Sequence, residues 1–223
     1  HEGIDLMKEY PNDHPFVKEG KPLHGPNQWP SKPESLKPIM NEYKNRLLKL
    51  GDQMMSGIAL ANKLPIDYFE PIFKDGFWVM RLVMYPPQPQ LERQPKDDIG
   101  IGVGEHTDYG FLTFVNQDSN KNCLQVKNSS GQWIAAHPIR GTFIVNIGDM
   151  LRIWSNGLYQ STPHRVDQPT ESLRCSNGFF YEPGFDQFIE PKLEVEPGKA
   201  LPFKRVKYGD HLCSKVFSNF QLD

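Results

Sequence analysis

The sequence predicts a mainly β protein with flanking helices, in which short strands form a sandwich or a barrel. After Gly76, short segments rich in β-branched and aromatic residues follow one another, and Gly, Asn and Pro turns separate them. A long amphipathic pattern precedes these segments, and a second helical pattern closes the chain. The 20 prolines and 18 glycines among 223 residues fit many short elements joined by turns better than a helical bundle.

The N-terminal third predicts a long helix behind an irregular segment. Residues 1–34 are rich in Pro, Gly, Asn and His, and their aromatic and apolar side chains favour an ordered segment over a linker. From Leu36 to Ala61, apolar residues recur three and four positions apart, which predicts an amphipathic helix that Ser35 could cap. A second, short helix is predicted over 65–74.

The predicted strands are short and regularly spaced. The first covers 76–87 and is stopped by two prolines. Those that follow cover 111–117, 123–126, 132–136, 142–147 and 176–182. The C-terminal stretch 208–220 returns to a helical pattern.

The bulk composition excludes several classes of protein. Charged residues make up 23% of the chain, the net charge is −2, and no long run of like charge occurs, which argues against a general nucleic-acid or membrane-surface binder. No apolar stretch is long enough to cross a bilayer. We therefore expect no nucleic-acid or membrane partner. The oligomeric state stays open, and a monomer is expected.

The cysteines predict a reducing compartment. Cys123, Cys175 and Cys213 lie far apart and form no CxxC pair, so we expect free thiols and a cytoplasmic location. The chain opens on His1 without a recognisable leader, and we expect the natural N-terminus to lie upstream.

A histidine and an aspartate two residues apart carry the first functional prediction. In a strand, residues i and i+2 face the same way, so His106 and Asp108 are predicted to project side by side from one element. A third ligand must come from elsewhere, and His164 is the best candidate. Two histidines and one carboxylate on one face of an octahedron are typical of non-haem Fe(II) oxygenases, because three positions stay open for cosubstrate and O2. By itself the H-x-D motif is weak, since a loop can carry it by chance.

A second pair strengthens the prediction. Arg174 and Ser176 follow His164 and are again two residues apart, so they too would share a face. A planar guanidinium fork and a hydroxyl suit a carboxylate. A surface ion pair is the common alternative for an arginine. The other histidines are interpreted as surface or structural residues.

With these motifs, the chain resembles the isopenicillin N synthase-like family of 2-oxoglutarate- and Fe(II)-dependent dioxygenases. The resemblance covers essentially the whole chain, and the combination of H-x-D, a distal His and R-x-S is specific. The matching segments are RLVMYPPQP at 81–89, GVGEHTDYGFLTFVNQD at 102–118, LQVKNSSGQWIAAHP at 124–138, VNIGDMLRIWSNGLYQSTPHRV at 145–166, RCSNGFFYEP at 174–183 and, as in microbial members, KPLHGPNQWP at 21–30.

The resemblance implies a fold, cofactors and roles. The fold would be a double-stranded β-helix, or jelly roll. Iron would be bound by His106, Asp108 and His164. The far carboxylate of 2-oxoglutarate would be held by Arg174 and Ser176, and Tyr85 would hydrogen-bond this cosubstrate. The reaction would consume O2, release succinate and CO2, and hydroxylate, desaturate or cyclise a small molecule, with ascorbate as a reductant.

The chain also departs from the family. An N-terminal region of about a hundred residues, which usually supplies part of the substrate pocket, is largely absent, and Val83 replaces an Asn often found two residues before the Tyr. The remaining candidates for the pocket are Met84, Tyr109, Phe111 and Phe180.

The predicted organisation is one domain over 1–223 with three parts. Residues 1–75 form the irregular segment and helical support, 76–190 the jelly-roll catalytic core, and 191–223 a C-terminal extension and helix. Two other functions stay open: a non-haem iron oxidase of the same family that does not use 2-oxoglutarate, and a catalytically silent jelly roll that only binds. The R-x-S motif cannot exclude the oxidase, because its Arg and Ser could hold another carboxylate.

Overall fold

A computed structural model describes residues 1–87, 101–118, 123–169, 171–194 and 203–219. Within this part of the chain the elements are β1 (Glu2–Met7), α1 (Pro15–Lys18), α2 (Leu36–Ala61), α3 (Glu70–Phe73), β2 (Gly76–Tyr85), β3 (Ile101–His106), β4 (Leu112–Gln117), β5 (Leu124–Lys127), β6 (Trp133–Ala135), β7 (Ile144–Ile147), α4 (Asp149–Trp154), β8 (His164–Asp167), β9 (Arg174–Gly184), β10 (Phe188–Ile189), β11 (Val206–Lys207) and α5 (Tyr208–Asn219).

Two antiparallel sheets enclose the centre of the molecule. The larger sheet has the strand order β1-β2-β9-β4-β7, and the smaller has the order β3-β8-β5-β6. From β2 to β9 the chain passes repeatedly between the two sheets, so that they face each other as in a jelly roll. The predicted mainly β jelly roll with flanking helices is confirmed.

Strand β2 separates two environments by the alternation of its side chains. Arg81, Val83 and Tyr85 line the cavity between the sheets. Met80, on the opposite face, is fully buried in the main hydrophobic core. Because successive side chains of a strand point to opposite faces, the same strand serves the core and the cavity.

The long helix α2 covers the outer face of the larger sheet, and its predicted bounds are confirmed. Its buried residues, Leu47, Gly51, Met55 and Ala59, are spaced by four. A β-carbon on Gly51 would lie 2.3 Å from the Tyr181 ring, so glycine allows this close approach. Ser35 precedes the helix but makes no side-chain capping hydrogen bond.

The prediction of an irregular segment over 1–34 was wrong at its start, because β1 pairs with β2 along its whole length. Four of its six residues are exposed, so a hydrophobic alternation that would mark a strand is missing. The side chain of Asn27 holds the C-terminal end of β1. Its Oδ1 accepts from the Met7 amide at 2.9 Å, and its Nδ2 donates to the Met7 carbonyl at 2.8 Å.

Smaller differences follow from local chemistry. The helix predicted over 65–74 is confined to α3, since Pro71 is tolerated only in the first turn of a helix. The short elements α1, β3, α4, β8, β10 and β11 were not predicted. The elements α2, β2, β4 to β7, β9 and α5 agree with the predictions within a few residues. The extension predicted over 191–223 lies partly outside the described residues. Among the described helices, none combines the length and apolar character that a membrane span requires.

Candidate active site

The three predicted ligands converge at the cavity between the sheets. His106 ends β3 and His164 begins β8, and the two residues are paired across the smaller sheet with ring centroids 4.2 Å apart. Asp108 Oδ1 lies 3.9 Å from His106 Nε2 and 3.5 Å from His164 Nε2. One ligand atom of each residue lies within 4.8 Å of the others, which is the spacing of a metal site.

The approach of His106 and Asp108 comes from a turn of the chain, and the predicted strand alternation across both residues was wrong. His106 is the last residue of its strand, and Asp108 lies in the loop that follows. Backbone hydrogen bonds hold this loop on α4: the Asp149 amide donates to the Asp108 carbonyl at 2.8 Å, and the Met150 amide donates to the Gly110 carbonyl at 2.9 Å. The carboxylate is therefore positioned by the helix as much as by the strand.

Both histidines present the same nitrogen to the site. His106 Nδ1 lies 2.8 Å from the Gly104 carbonyl, and His164 Nδ1 lies 3.1 Å from the Thr162 carbonyl. Because a carbonyl oxygen only accepts, each Nδ1 carries the hydrogen and each Nε2 is the nitrogen that can bind a metal. Burial lowers the pKa of His106, and the neighbouring His164 lowers it further. A neutral imidazole is the form that binds a metal.

The second oxygen of Asp108 is held by a residue that was not predicted from the sequence. Asn146, on β7, donates from Nδ2 to Asp108 Oδ2 at 3.1 Å, and the same nitrogen lies 3.5 Å from His164 Nε2. Asn146 is 7% exposed. Supporting hydrogen bonds of this kind orient metal ligands. The hint in the sequence was an Asn within the apolar stretch TFIVNI, where a buried amide needs a partner.

Arg174 lies fully buried in the larger sheet. It is 1% exposed, and it donates from Nη2 to Gln117 Oε1 at 3.0 Å and from Nη1 to Ser176 Oγ at 3.3 Å. Its Nε has no hydrogen-bond partner, and no carboxylate of the described residues forms an ion pair with it. A buried charge without a counter-ion is costly, which indicates that this arginine receives an anion. A surface ion pair is excluded by this burial.

One narrow cavity of about 90 Å³ is lined both by the three clustered ligands and by Arg174 and Ser176. Val83 is paired with Ser176 across β2 and β9 and also lines this cavity, so the side chain that replaces the family's Asn offers it no polar contact. Tyr85 is paired with Arg174, and its ring lies under the guanidinium. The predicted hydrogen bond from Tyr85 to the cosubstrate stays a prediction.

A wider pocket of about 650 Å³ lies beyond His106, which lines both spaces. Tyr109 and Phe180 form part of its wall, as expected for pocket residues. Two other candidates were wrong: Met84 is 39% exposed on the outer face of β2, and Phe111 is fully buried in the core. Residues not foreseen in this pocket include His1, Asp5, Arg81, Glu105, Glu182, Leu212 and Val216.

Glu182 is a buried acid in the wall of this pocket. It is 3% exposed, and its Oε2 makes no well-aligned hydrogen bond, although the Tyr208 hydroxyl lies beside the carboxyl. Burial raises the pKa of Glu182 to about 8; the Tyr208 hydroxyl opposes this rise, and the charges of Asp108 and Asp149 add to it. The carboxyl rests on Gly110, where a β-carbon would lie 1.3 Å from Oε2.

A second polar network joins α5 to the ligand loop. His211 Nε2 lies 3.4 Å from Asp149 Oδ2. Burial by itself would raise the pKa of Asp149, but the neighbouring polar groups of His211, Thr107 and Ser161 lower it overall. Since Thr107 lies between two of the clustered ligands, this network fixes their loop from the side of the C-terminal helix.

Comparison with known proteins identifies the class to which this fold and site belong. The family model of the 2OG-Fe(II) oxygenase superfamily matches residues 76–183. The chain belongs to this superfamily, which uses Fe(II), 2-oxoglutarate and O2, and the resemblance found in the sequence is confirmed.

The relatives include plant enzymes named homoarginine-6-hydroxylases. One from Arabidopsis thaliana is 44% identical over 229 residues, which cover 100% of this chain and 68% of the relative. One from Glycine max is 45% identical over 224 residues, covering 99% of this chain and 67% of the relative. A third, from Oryza sativa, is 45% identical, and 62% of its length is matched. The chain thus spans about two thirds of the length of these proteins.

Solved structures agree with the fold. A full-length Neurospora crassa protein in complex with alpha-KG has a TM-score of 0.81 and 29% identity, over 96% of this chain and 65% of that one. A 2OG-Fe(II) oxygenase family protein from Caulobacter crescentus has a TM-score of 0.78 and 27% identity, over 98% of this chain and 69% of that one.

Proposed function

We propose that this protein is a 2-oxoglutarate- and Fe(II)-dependent dioxygenase that hydroxylates a small cationic amino acid, with homoarginine as the model substrate. One observation carries the proposal: the cluster of His106, Asp108 and His164 and the buried, ion-pair-free guanidinium of Arg174 line the same cavity. A metal ligand set and an anion site at this spacing suit one molecule that chelates the metal and ends in a carboxylate.

Iron would be held by His106, Asp108 and His164. Two neutral imidazoles and one carboxylate suit Fe(II) and leave three positions open, whereas a structural zinc site would be closed and tetrahedral. When bound, iron and 2-oxoglutarate would supply the oxygen-activating chemistry of the family, with release of succinate and CO2. The protein's part is to orient the ligands, and Asn146 and the two backbone carbonyls do so.

The far carboxylate of 2-oxoglutarate would meet Arg174. The guanidinium plane is set by Tyr85 below it and by Gln117 and Ser176 beside it, so the fork is ordered before the ligand arrives. A preorganised fork binds a carboxylate at lower entropic cost than a flexible ammonium. The apolar walls of the cavity, which include Val83 and Val166, keep water from competing.

The wider pocket supports an amino acid as the substrate. Arg81 lines this pocket, and Asp5 holds it in a bidentate pair with distances of 2.8 and 2.7 Å. Glu182 adds an acidic group for a cationic end. A pocket with groups of both signs suits a dipolar molecule, and relatives at 44 and 45% identity are named homoarginine-6-hydroxylases.

Two measurements on the purified protein test the proposal. Without oxygen, Fe(II) and saturating 2-oxoglutarate should give the metal-to-ligand charge-transfer band of a chelated 2-oxo acid. With oxygen and ascorbate, L-homoarginine should stimulate succinate release and gain one oxygen atom. A missing band would favour the oxidase alternative, in which Arg174 holds a substrate carboxylate, and bound metal without O2 consumption would favour a silent binding protein.

A further inference from the structure

We infer that Glu182 is a specificity-determining residue, whose carboxylate receives the planar cationic group of the substrate inside the wider pocket. This inference rests on the proposed function and deepens it, since it assigns one chemical group of the substrate to one residue. Glu182 was not among the predicted site residues, and it lies in β9 eight residues after Arg174.

Glu182 differs from the other acids of this pocket in its lack of a cation. Asp5 pairs with Arg81, and Glu105 lies 3.0 Å from Lys127 Nζ. Among the described residues, no lysine, arginine or histidine forms an ion pair with Glu182. Asp5 and Glu105 are therefore already neutralised by the protein, whereas Glu182 offers an uncompensated carboxyl to whatever occupies the pocket.

The burial of Glu182 also indicates a missing ligand. The residue is 3% exposed, its Oε2 makes no well-aligned hydrogen bond, and the Tyr208 hydroxyl is the neighbouring group that can donate to the carboxyl. A buried carboxyl with an unmatched oxygen costs stability, and natural structures contain few of them. Such a group is explained when a ligand supplies the missing donors. A guanidinium can do so with two parallel N–H groups.

The walls around Glu182 suit a flat cation in shape and polarity. Tyr109 and Phe180 line the same pocket, and Leu212 and Val216 add apolar side chains from α5. A guanidinium is weakly hydrated and packs its flat faces on aromatic rings. The Glu182 carboxyl occupies the space beside Gly110 that a side chain at this position would fill.

The experiment compares two ligands that differ in one group. L-homoarginine carries a guanidinium, and L-homocitrulline carries a neutral urea of nearly the same shape. Binding of each to the anaerobic complex of the protein with Fe(II) and 2-oxoglutarate is measured by titration calorimetry. Wild-type protein should prefer homoarginine by roughly ten- to a hundredfold, the range of a buried charge-assisted hydrogen bond.

The variants locate this preference. Glu182→Gln keeps the shape and removes the group that can ionise against the cation, so the preference should fall to about onefold, whereas Glu182→Asp should keep part of it. Glu105→Gln, which changes the acid paired with Lys127, should keep the full preference. The charge-transfer band with 2-oxoglutarate should persist in all three variants, which shows that they fold and bind the cosubstrate.

Each outcome separates the two proposals. If the wild-type protein shows no charge-transfer band, the proposed function fails. If the band forms but the preference survives in Glu182→Gln, disappears in Glu105→Gln, or is absent from the wild type, the assignment of Glu182 is overturned and the dioxygenase proposal stands.

Discussion

The guanidinium of Arg174 lies over the ring of Tyr85, with 4.8 Å between its central carbon and the ring centroid. The antiparallel register of β2 and β9 pairs these two residues, so the stacking follows from how the sheet is assembled. An arginine over an aromatic face keeps its plane fixed while its edge stays free to donate. The edge of Arg174 faces a cavity that the metal-ligand cluster also lines.

Replacing Arg174 with lysine should weaken 2-oxoglutarate binding although the charge is kept. An ammonium cannot stack on Tyr85 and present a planar fork at the same time, so we expect the dissociation constant to rise roughly ten- to a hundredfold. The charge-transfer band, titrated without oxygen, measures it. Arg165→Lys is a matched control, since Arg165 stacks on Trp133 and donates to Gln125 in the smaller sheet without lining the cavity. Equal affinities in both variants would contradict the assigned role.

Replacing Asn146 with leucine should weaken metal binding. The change keeps the branching at Cγ but removes the donor to Asp108 Oδ2, so the carboxylate loses its fixed orientation. Loss of such a supporting hydrogen bond lowers metal affinity roughly ten- to a hundredfold. Competition with a chromophoric chelator for Co(II) or Fe(II) measures this affinity. Asn116→Leu, on an exposed position of β4, is the control and should leave it unchanged. An unaltered affinity in Asn146→Leu would show that the ligands need no such support.

The Glu182 carboxyl should make the metal-free protein less stable as the pH rises. Its pKa of about 8 lies above its ordinary value of 4.5, so the folded state keeps this proton longer than the unfolded chain. The stability that the protonated carboxyl contributes to the folded state is therefore fully present below about pH 4.5 and is lost as the pH rises through about 8. Glutamine cannot ionise, so Glu182→Gln should not lose stability in this way. The free energy of unfolding of the variant, relative to the wild type, should increase between about pH 5 and 9 by at most about 5 kcal/mol.

Urea unfolding at about pH 5, 7 and 9 measures this effect. Glu190→Gln changes an exposed carboxylate on the surface and serves as the control. A constant difference between Glu182→Gln and the wild type across this range would mean that the carboxyl is already ionised in the folded protein.

The residues predicted from the sequence are those whose chemistry is specified by local spacing. His106 and Asp108 are two residues apart, and Arg174 and Ser176 share one strand, so each pair is recognisable in the sequence. The long helix α2 was equally visible, because its apolar period is local.

The residues that were missed depend on pairings that only the folded sheets create. Gln117 reaches Arg174 across 57 positions, and Asn146 reaches Asp108 across 38. In the sequence, Glu182 cannot be distinguished from an exposed polar residue of a strand, because its burial depends on the packing of the two sheets. Strand β1 lacks a hydrophobic face of its own and is held by its neighbour and by Asn27.

Replacing Gly110 with alanine should displace the Glu182 carboxyl without changing its charge. The added β-carbon would lie 1.3 Å from Oε2, and the Gly110 backbone, packed against Gly148, cannot retreat. We expect a loss of about 1–3 kcal/mol in unfolding free energy from overpacking. The double variant Gly110→Ala/Glu182→Ala should be more stable than the two single effects predict, because the overlapping group is gone. Gly57→Ala, exposed in α2 with open space around it, should instead gain about 0.5–1 kcal/mol. Strict additivity in the double variant would show that Gly110 and Glu182 do not share this space.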